Sequence, residues 1–200
     1  MNRQSIVALF ALTILLYTAT SRAERPPNTL SPEEKKDGWV LLFDGKTTQG
    51  WRAYNGDKMP PGWQVIDGAL VRVSGGEGGK GAGGGDDIIT ADEFADFDLR
   101  LEWKVVRGGN SGILYRCPEG ARTSWHVAPE MQVLDNTSNK GRKPSQLAGA
   151  LYDLYAPAKD VMRPVGQWNA ARVVARGNHV EHWLNGEKLL EYDLGSDDWQ

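Results

Sequence analysis

Along much of the chain apolar and polar residues alternate with a period of two, the spacing of a strand whose two faces meet different surroundings. The clearest case is Asp98–Val106, where Leu99, Leu101, Trp103 and Val105 fall on one face and Arg100, Glu102 and Lys104 on the other. Trp63–Val73 reads as two short strands around Asp67-Gly68. Val180–Leu184 and Lys188–Leu194 flank Asn185-Gly186 in the same way. Both dipeptides suit two-residue type I′ turns, because Asp, Asn and Gly tolerate positive φ. Trp168–Arg176 alternates ahead of Gly177-Asn178, Gly38–Lys46 predicts an apolar strand ending in an Asp44-Gly45 turn, and Leu147–Tyr155 is an apolar run interrupted at Gly149. Helix is signalled once and briefly, by Ser31 as N-cap and Pro32 at the first helical position, with Gly38 as its limit. Short, evenly spaced strands of this kind predict an all-β antiparallel sandwich.

Two further runs, Ile113–Tyr115 and Met131–Leu134, are strands interleaved with side chains that can do chemistry: Asn110, Ser111, Arg116, Glu130, Gln132, Asp135 and Asn136. Period two puts Met131 and Val133 on the core face, so Glu130 and Gln132 face outward or into a groove. Asp135 would then join the apolar side unless the strand ends or bulges there. On spacing alone, the simpler reading of Glu130 is a solvated outer-face residue. Arg116, at a strand end, has the chemistry to clamp a carboxylate or polarise a carbonyl. Most of Trp39, Trp51, Trp63, Trp103, Trp168 and Trp183 are assigned to the core, and Trp125, in the polar loop Thr123–His126, is the candidate for a ligand-facing ring. His182 alternates with Val180 and Leu184, so a buried imidazole is a serious alternative to a reactive one. None of the three histidines has metal-ligand spacing. Gly75–Gly85 holds eight glycines in eleven residues. It formally contains a dinucleotide fingerprint but lacks the βαβ unit that motif needs, and reads as a surface loop.

Composition changes the picture mainly at the N-terminus. Arg3, the apolar run Ile6–Ala19 and Ser21-Arg22-Ala23 form a secretory signal peptide over residues 1–23, followed by a Pro-rich linker over 24–37 and the domain over 38–200. Cleavage would remove Arg3 and Arg22 and take the formal charge from −3 to −5, leaving 177 residues. The mature protein is expected in the periplasm or outside the cell, without a membrane span. It has no basic block, which argues against a nucleic-acid partner. The single Cys117 cannot form an internal disulfide and reads as a small buried side chain.

Several ordered motifs then carry a family resemblance. Gly38-Trp39-x-x-Leu42-Phe43-Asp44-Gly45-Lys46 with Gly50-Trp51, Phe97-Asp98-Leu99-x-Leu101-Glu102-Trp103, Gly109-Asn110-Ser111-Gly112-Ile113, Glu130-x-Gln132-Val133-Leu134-Asp135-Asn136, Gly149-Ala150-Leu151-Tyr152 and His182-Trp183-Leu184-Asn185-Gly186 are similar to the 3-keto-disaccharide hydrolase family, formerly DUF1080. The resemblance implies a concanavalin-like jelly-roll sandwich and cleavage of glycosides oxidised at C3. It also implies elimination or hydration steps in related members, some with a divalent metal ion. No cofactor is otherwise called for, and the expected partner is a carbohydrate. Members continue beyond the position of Gln200, so the sandwich is expected to be C-terminally incomplete. From the chemistry, Glu130 is expected as base, Arg116 as carbonyl stabiliser and His182 as alternative base or metal ligand. Asn110, Gln132, Asp135, Glu102 and Trp125 are the expected substrate contacts. The alternative is a noncatalytic carbohydrate-binding sandwich.

Overall fold

The computed structural model describes residues 26–73 and 87–197. The proposed signal segment and the Gly75–Gly85 run therefore lie outside the described residues. The chain divides into two units with the boundary between Leu41 and Leu42. The first carries the one α-helix among the described residues, α1 (Pro32–Lys36), closed by a full capping box: the Ser31 hydroxyl accepts from Glu34 N–H and the Glu34 carboxylate accepts from Ser31 N–H. The helix forms where Ser31-Pro32 announces it. The strand expected over Gly38–Lys46 does not form. Val40 and Leu41 are 60% and 42% exposed, and Asp44 caps a turn by accepting from Lys46 and Thr47 N–H. An apolar run without a neighbouring strand to pair with has no ladder to join.

The second unit is antiparallel throughout. Strands β1 (Trp51–Ala53), β2 (Trp63–Ile66), β3 (Ala69–Arg72) and β4 (Ile88–Thr90) make two small pairs, β1 with β4 and β2 with β3. Asp67 and Gly68 adopt φ of 49° and 75° in the β2–β3 turn, as a type I′ turn requires. The main sheet runs β10 (Glu187–Asp193), β9 (His179–Leu184), β8 (Asn169–Arg176), β5 (Phe97–Trp103). Its other hairpin turns on Asn185 and Gly186, again with positive φ. β6 (Asn110–Leu114) pairs with β7 (Glu130–Leu134) to form a further two-stranded sheet.

The core gathers Leu99, Leu101, Trp103, Val173, Val180, Leu184 and Leu189 from the four-stranded sheet with Tyr115, Met131, Val133 and Leu151 from the β6–β7 side. Arg100, Glu102 and Lys104 are exposed, as the alternation requires. The tryptophan assignment is corrected: of the six, most of which were expected in the core, only Trp103 is buried. Trp168 is 40% exposed with Lys104 Nζ 4.8 Å from its ring centroid. Trp183 lies on the outer face of β9, donating Nε1–H to Glu181 at 2.7 Å, with the Arg172 guanidinium over its ring. Both indoles cover charged strands rather than fill the interior.

A polar relay crosses this core. His182 is fully buried; its Nδ1 contacts the Gly149 carbonyl at 3.2 Å and its Nε2 contacts Tyr115 Oη at 2.7 Å. A carbonyl only accepts, so Nδ1 carries the proton, Nε2 accepts from the Tyr115 hydroxyl, and Tyr115 in turn accepts from Tyr192 at 2.5 Å. Burial pushes the imidazole down to about 4 and keeps it neutral. Gly149, at φ +87°, faces Leu189, and a Cβ there would lie 2.2 Å from a Leu189 methyl. Leu189 itself is an inserted residue: the β9–β10 register slips between Lys188 and Leu190, so Leu189 and Leu190 both pack on the core side.

Candidate functional site

Register decides what shares a face with Glu130. Asn110 pairs with Leu134, Gly112 with Gln132 and Leu114 with Glu130. Asn110 and Gly112 are therefore neighbours of Gln132 and Glu130 on the side of the sheet opposite Met131 and Val133. The far edge of β7 is covered by the Leu147–Tyr155 run, which forms no strand but bonds to it: Gln132 N–H donates to Ala150 O and Tyr152 N–H to Glu130 O, both at 3.0 Å. This places Tyr152 opposite Glu130. The relay from His182 to Gly149 ties the same segment to the four-stranded sheet.

The Glu130 carboxyl leans across β6. A Cβ added at Gly112 would meet its Oε1 at 1.8 Å, so this side-chain position exists only because residue 112 is glycine. It has no side-chain hydrogen-bond partner among the described residues. Burial, then the negative charge of Asp87, pushes it up to about 7. Beside it, Gln132 is 1% exposed and donates Nε2–H to Asn110 Oδ1 at 2.8 Å. That bond fixes the Asn110 amide with its oxygen toward Gln132, leaving the exposed Nδ2 as a donor. A Gly112→Ala variant is expected to keep its melting temperature or raise it slightly, since alanine suits a strand better. The displaced carboxyl should cut kcat/KM at least ~10-fold. Thermal melts beside turnover assays check both halves.

The remaining candidates are held elsewhere. Arg116, at φ +50°, directs its guanidinium to Ala95 O and Asp96. His182 is enclosed in the core with both ring nitrogens engaged. Glu102 is exposed on the outer face of β5. Asp135 is buried just past the end of β7, accepting from Gly108 N–H, Thr137 N–H, Thr137 Oγ1–H and Ser138 N–H. The Ser138 and Thr137 hydroxyls and the Gly108 N–H hold it well below the usual carboxylate range, so it staples two loops together. Trp125 is 49% exposed on the Ser124–His126 turn with its ring centroid 3.7 Å from that of His126. The face therefore unites Glu130, Gln132 and Asn110. Arg116, His182, Glu102 and Asp135 have other partners or surroundings.

Sequence reasoning missed Tyr152, Asp87 and Ser124, which carried no local signal. Gly112 did carry one, among the glycines of 108–112 that allow close approach to the backbone, and what approaches is the Glu130 side chain. Among the described residues one set could hold a metal ion: His179, Glu181 and Glu191, whose ligand atoms lie within 4.8 Å of one another. They are on β9 and β10, on the outer face of the four-stranded sheet. Around Glu130 the described residues do not fit a metal. The Asn110 oxygen accepts from Gln132 and one Asp87 oxygen from the Ser124 hydroxyl, and among the described residues Glu130 belongs to no set of three His, Cys, Asp or Glu ligand atoms close enough to share an ion.

Fold and site together define an antiparallel β-sandwich whose smaller sheet presents a desolvated acid beside a fixed pair of amides. The chain belongs to the 3-keto-alpha-glucoside-1,2-lyase-like domain family, whose model matches residues 38–200. It is 36% identical over 177 residues to a 3-keto-disaccharide hydrolase of Bacteroides thetaiotaomicron, a match covering 82% of this chain and 61% of that protein. The chain thus spans about three-fifths of the length of that curated relative. A solved structure from Parabacteroides distasonis ATCC 8503, provisionally named a glycosyl hydrolase, superposes with a TM-score of 0.74 at 36% identity, covering 86% of this chain and 80% of its own. A second from the same organism, named likewise, gives a TM-score of 0.57 at 26% identity, covering 80% and 68%.

Proposed function

We propose that this domain is a carbohydrate-active enzyme that cleaves 3-keto-glycosides, with Glu130 as the general base. The observation that carries this reading is the Glu130 carboxyl, leaning across Gly112, desolvated and without a side-chain hydrogen-bond partner among the described residues, with its proton affinity raised to about 7, as a base working near neutral pH should have. A ketone at C3 acidifies the proton on C2. The Glu130 carboxylate takes that proton, the C–H electron pair forms the C1–C2 double bond, and the C1–O bond breaks toward the leaving oxygen, which takes up a proton. Water then adds at C1 while C2 regains a proton, so the net result is hydrolysis. The Asn110 Nδ2–H, fixed by Gln132, is the donor best placed to meet a sugar oxygen on this face, a role expected earlier of Arg116. Trp125 offers an exposed ring for the apolar face of a sugar.

The test is turnover of a 3-keto-glucoside by wild type and Glu130→Gln, with the parent glucoside as control. Near-normal turnover by the variant sinks the assignment of the base. Ligand protection against unfolding without any product, in the wild type, would instead favour a binding module. We also propose that residues 1–23 direct export. Intact-mass measurement of the protein secreted by a bacterial host should show a chain beginning at Glu24, and retention of residues 1–23 would refute it.

A further inference from the structure

β10 is an edge strand of the four-stranded sheet, and its pairing with β9 brings four polar side chains together on the outer face. Glu181 lies directly opposite Glu191, and His179 directly opposite Asp193. Like charges in directly opposed positions destabilise a ladder, so the Glu181–Glu191 pair calls for a positive partner. Lys188 supplies one to a single oxygen, Glu191 Oε2, at 2.7 Å. Arg172, opposite Trp183 on β8, is engaged by Asp98 at 2.7 and 2.9 Å. Three carboxylates thus share this corner of the sheet with one ammonium and one imidazole. Linear spacing does not display the set, because Glu191 and Asp193 reach it across the ladder.

The imidazole makes this corner a ligand set and not an acidic patch. His179 Nδ1 stands 3.1 Å from Asp193 Oδ1. A carboxylate accepts, so Nδ1 carries a proton, and the neutral ring then presents a lone pair at Nε2. That nitrogen faces Glu191 Oε2 at 3.6 Å and Glu181 Oε1 at 3.8 Å. These separations are too long for hydrogen bonds. They are close to the roughly 3.4 Å between ligand atoms around a tetrahedral zinc ion. All three atoms lie within 4.8 Å of one another. Their supports also fit: a metal-bound imidazole usually donates its other N–H to a carboxylate, as His179 does to Asp193. Trp183 Nε1–H holds Glu181 Oε2 at 2.7 Å, which leaves Oε1 for the shared point. His179, Glu191 and Asp193 line a cavity of about 410 Å³ with Tyr155, Tyr192 and Ser196, which gives an ion and its water a way in. We propose that His179, Glu181 and Glu191 bind a divalent cation of the zinc type, oriented by Asp193 and Trp183, and that the ion staples the edge strand β10 to β9. One imidazole nitrogen with two carboxylate oxygens suits zinc better than magnesium or calcium, which prefer oxygen alone. Lys188 yields Glu191 Oε2 when the ion binds. The ion takes no part in chemistry at Glu130, which lies on the other sheet.

The test is calorimetric titration of Zn²⁺ into the full chain after chelator treatment, with thermal melts before and after. Wild type should take up one equivalent and melt at a higher temperature with the ion bound, because only the folded chain brings the two strands together. His179→Ala and Glu181→Gln should each bind at least ~10-fold more weakly and lose the rise in melting temperature. Failure of wild type to take up zinc overturns the proposal, since His179 would then serve as an imidazolium among the carboxylates. Uptake that either variant weakens by less than that also overturns it, because the ion would then sit elsewhere. Should one of the two variants fail to fold, Glu191→Gln takes its place and is read in the same way. No part of the readout depends on turnover, so the outcome is independent of the role of Glu130.

Discussion

Glu130→Gln is expected to lower kcat/KM for a 3-keto-glucoside by ~10²–10⁴, the usual contribution of a positioned general base, and at the same time to stabilise the fold at alkaline pH. The second effect follows from the same burial as the first. A glutamate raised from the ordinary 4.5 to about 7 by burial and the Asp87 charge binds its proton more tightly in the folded chain than in the unfolded one. Its contribution is fully present below pH 4.5 and is lost as pH rises through about 7. The loss amounts to roughly 3 kcal/mol. Glutamine has the same shape and no charge to desolvate. The variant should therefore match wild type near pH 4 and exceed it at pH 8, measured by denaturant melts at both values. A variant that loses activity but gains no alkaline stability would mean that the carboxyl is not desolvated in solution.

His182→Ala carries the largest expected cost to the fold, about 3–4 kcal/mol, because it opens a cavity and leaves the Gly149 carbonyl and the Tyr115 hydroxyl without their shared partner. The cost depends on pH with the opposite sign to that of Glu130. A histidine lowered from 6.5 to about 4 by burial stabilises the fold fully above pH 6.5, and that contribution fades as pH falls toward 4. Between about 4.5 and 6.5 the two groups oppose each other, so wild type should show a shallow profile from this pair. Each variant uncovers the other's slope: Glu130→Gln gains stability as pH rises through this window, and His182→Ala loses it. Parallel slopes in the two variants would contradict both burial arguments. Because Gly149 neighbours Gln132 through its own N–H, His182→Ala should also loosen the segment beside β7, visible as faster amide exchange at Gly149–Tyr152.

What the sequence made legible followed from local chemistry. The turns at Asp67-Gly68 and Asn185-Gly186 were readable because positive φ selects so few residues. The β5 alternation was readable because one face is buried, and the side of Glu130 followed from Met131 and Val133. Readings failed where geometry depends on a partner distant in sequence. Gly38–Lys46 had a strand's composition but no strand beside it. Arg116 follows a strand end close in sequence to the Glu130 face, but its positive φ turns it to Ala95 and Asp96. Asp135 announced a strand end by breaking the alternation, yet its four donors come from loops whose approach no spacing predicts. The support beneath and beside Glu130 depends on the β6–β7 register and on a contact between residues 87 and 124, neither of which the linear chain displays.

The inserted Leu189 gives β10 one residue more than its ladder needs, and the core takes up its side chain. Removing that one residue would close the bulge without moving the ladder: Leu190 would still oppose His182 and Tyr192 would still oppose Val180, so Tyr192 would keep its place beside Tyr115. What the deletion would remove is the Leu189 side chain itself, buried against Gly149, so its cost is one of packing and not of register. A deletion of Glu191 with the bulge retained would instead turn Tyr192 outward and Asp193 inward, so position 189 is a place in this strand where the residue count can change by one without exchanging core and surface.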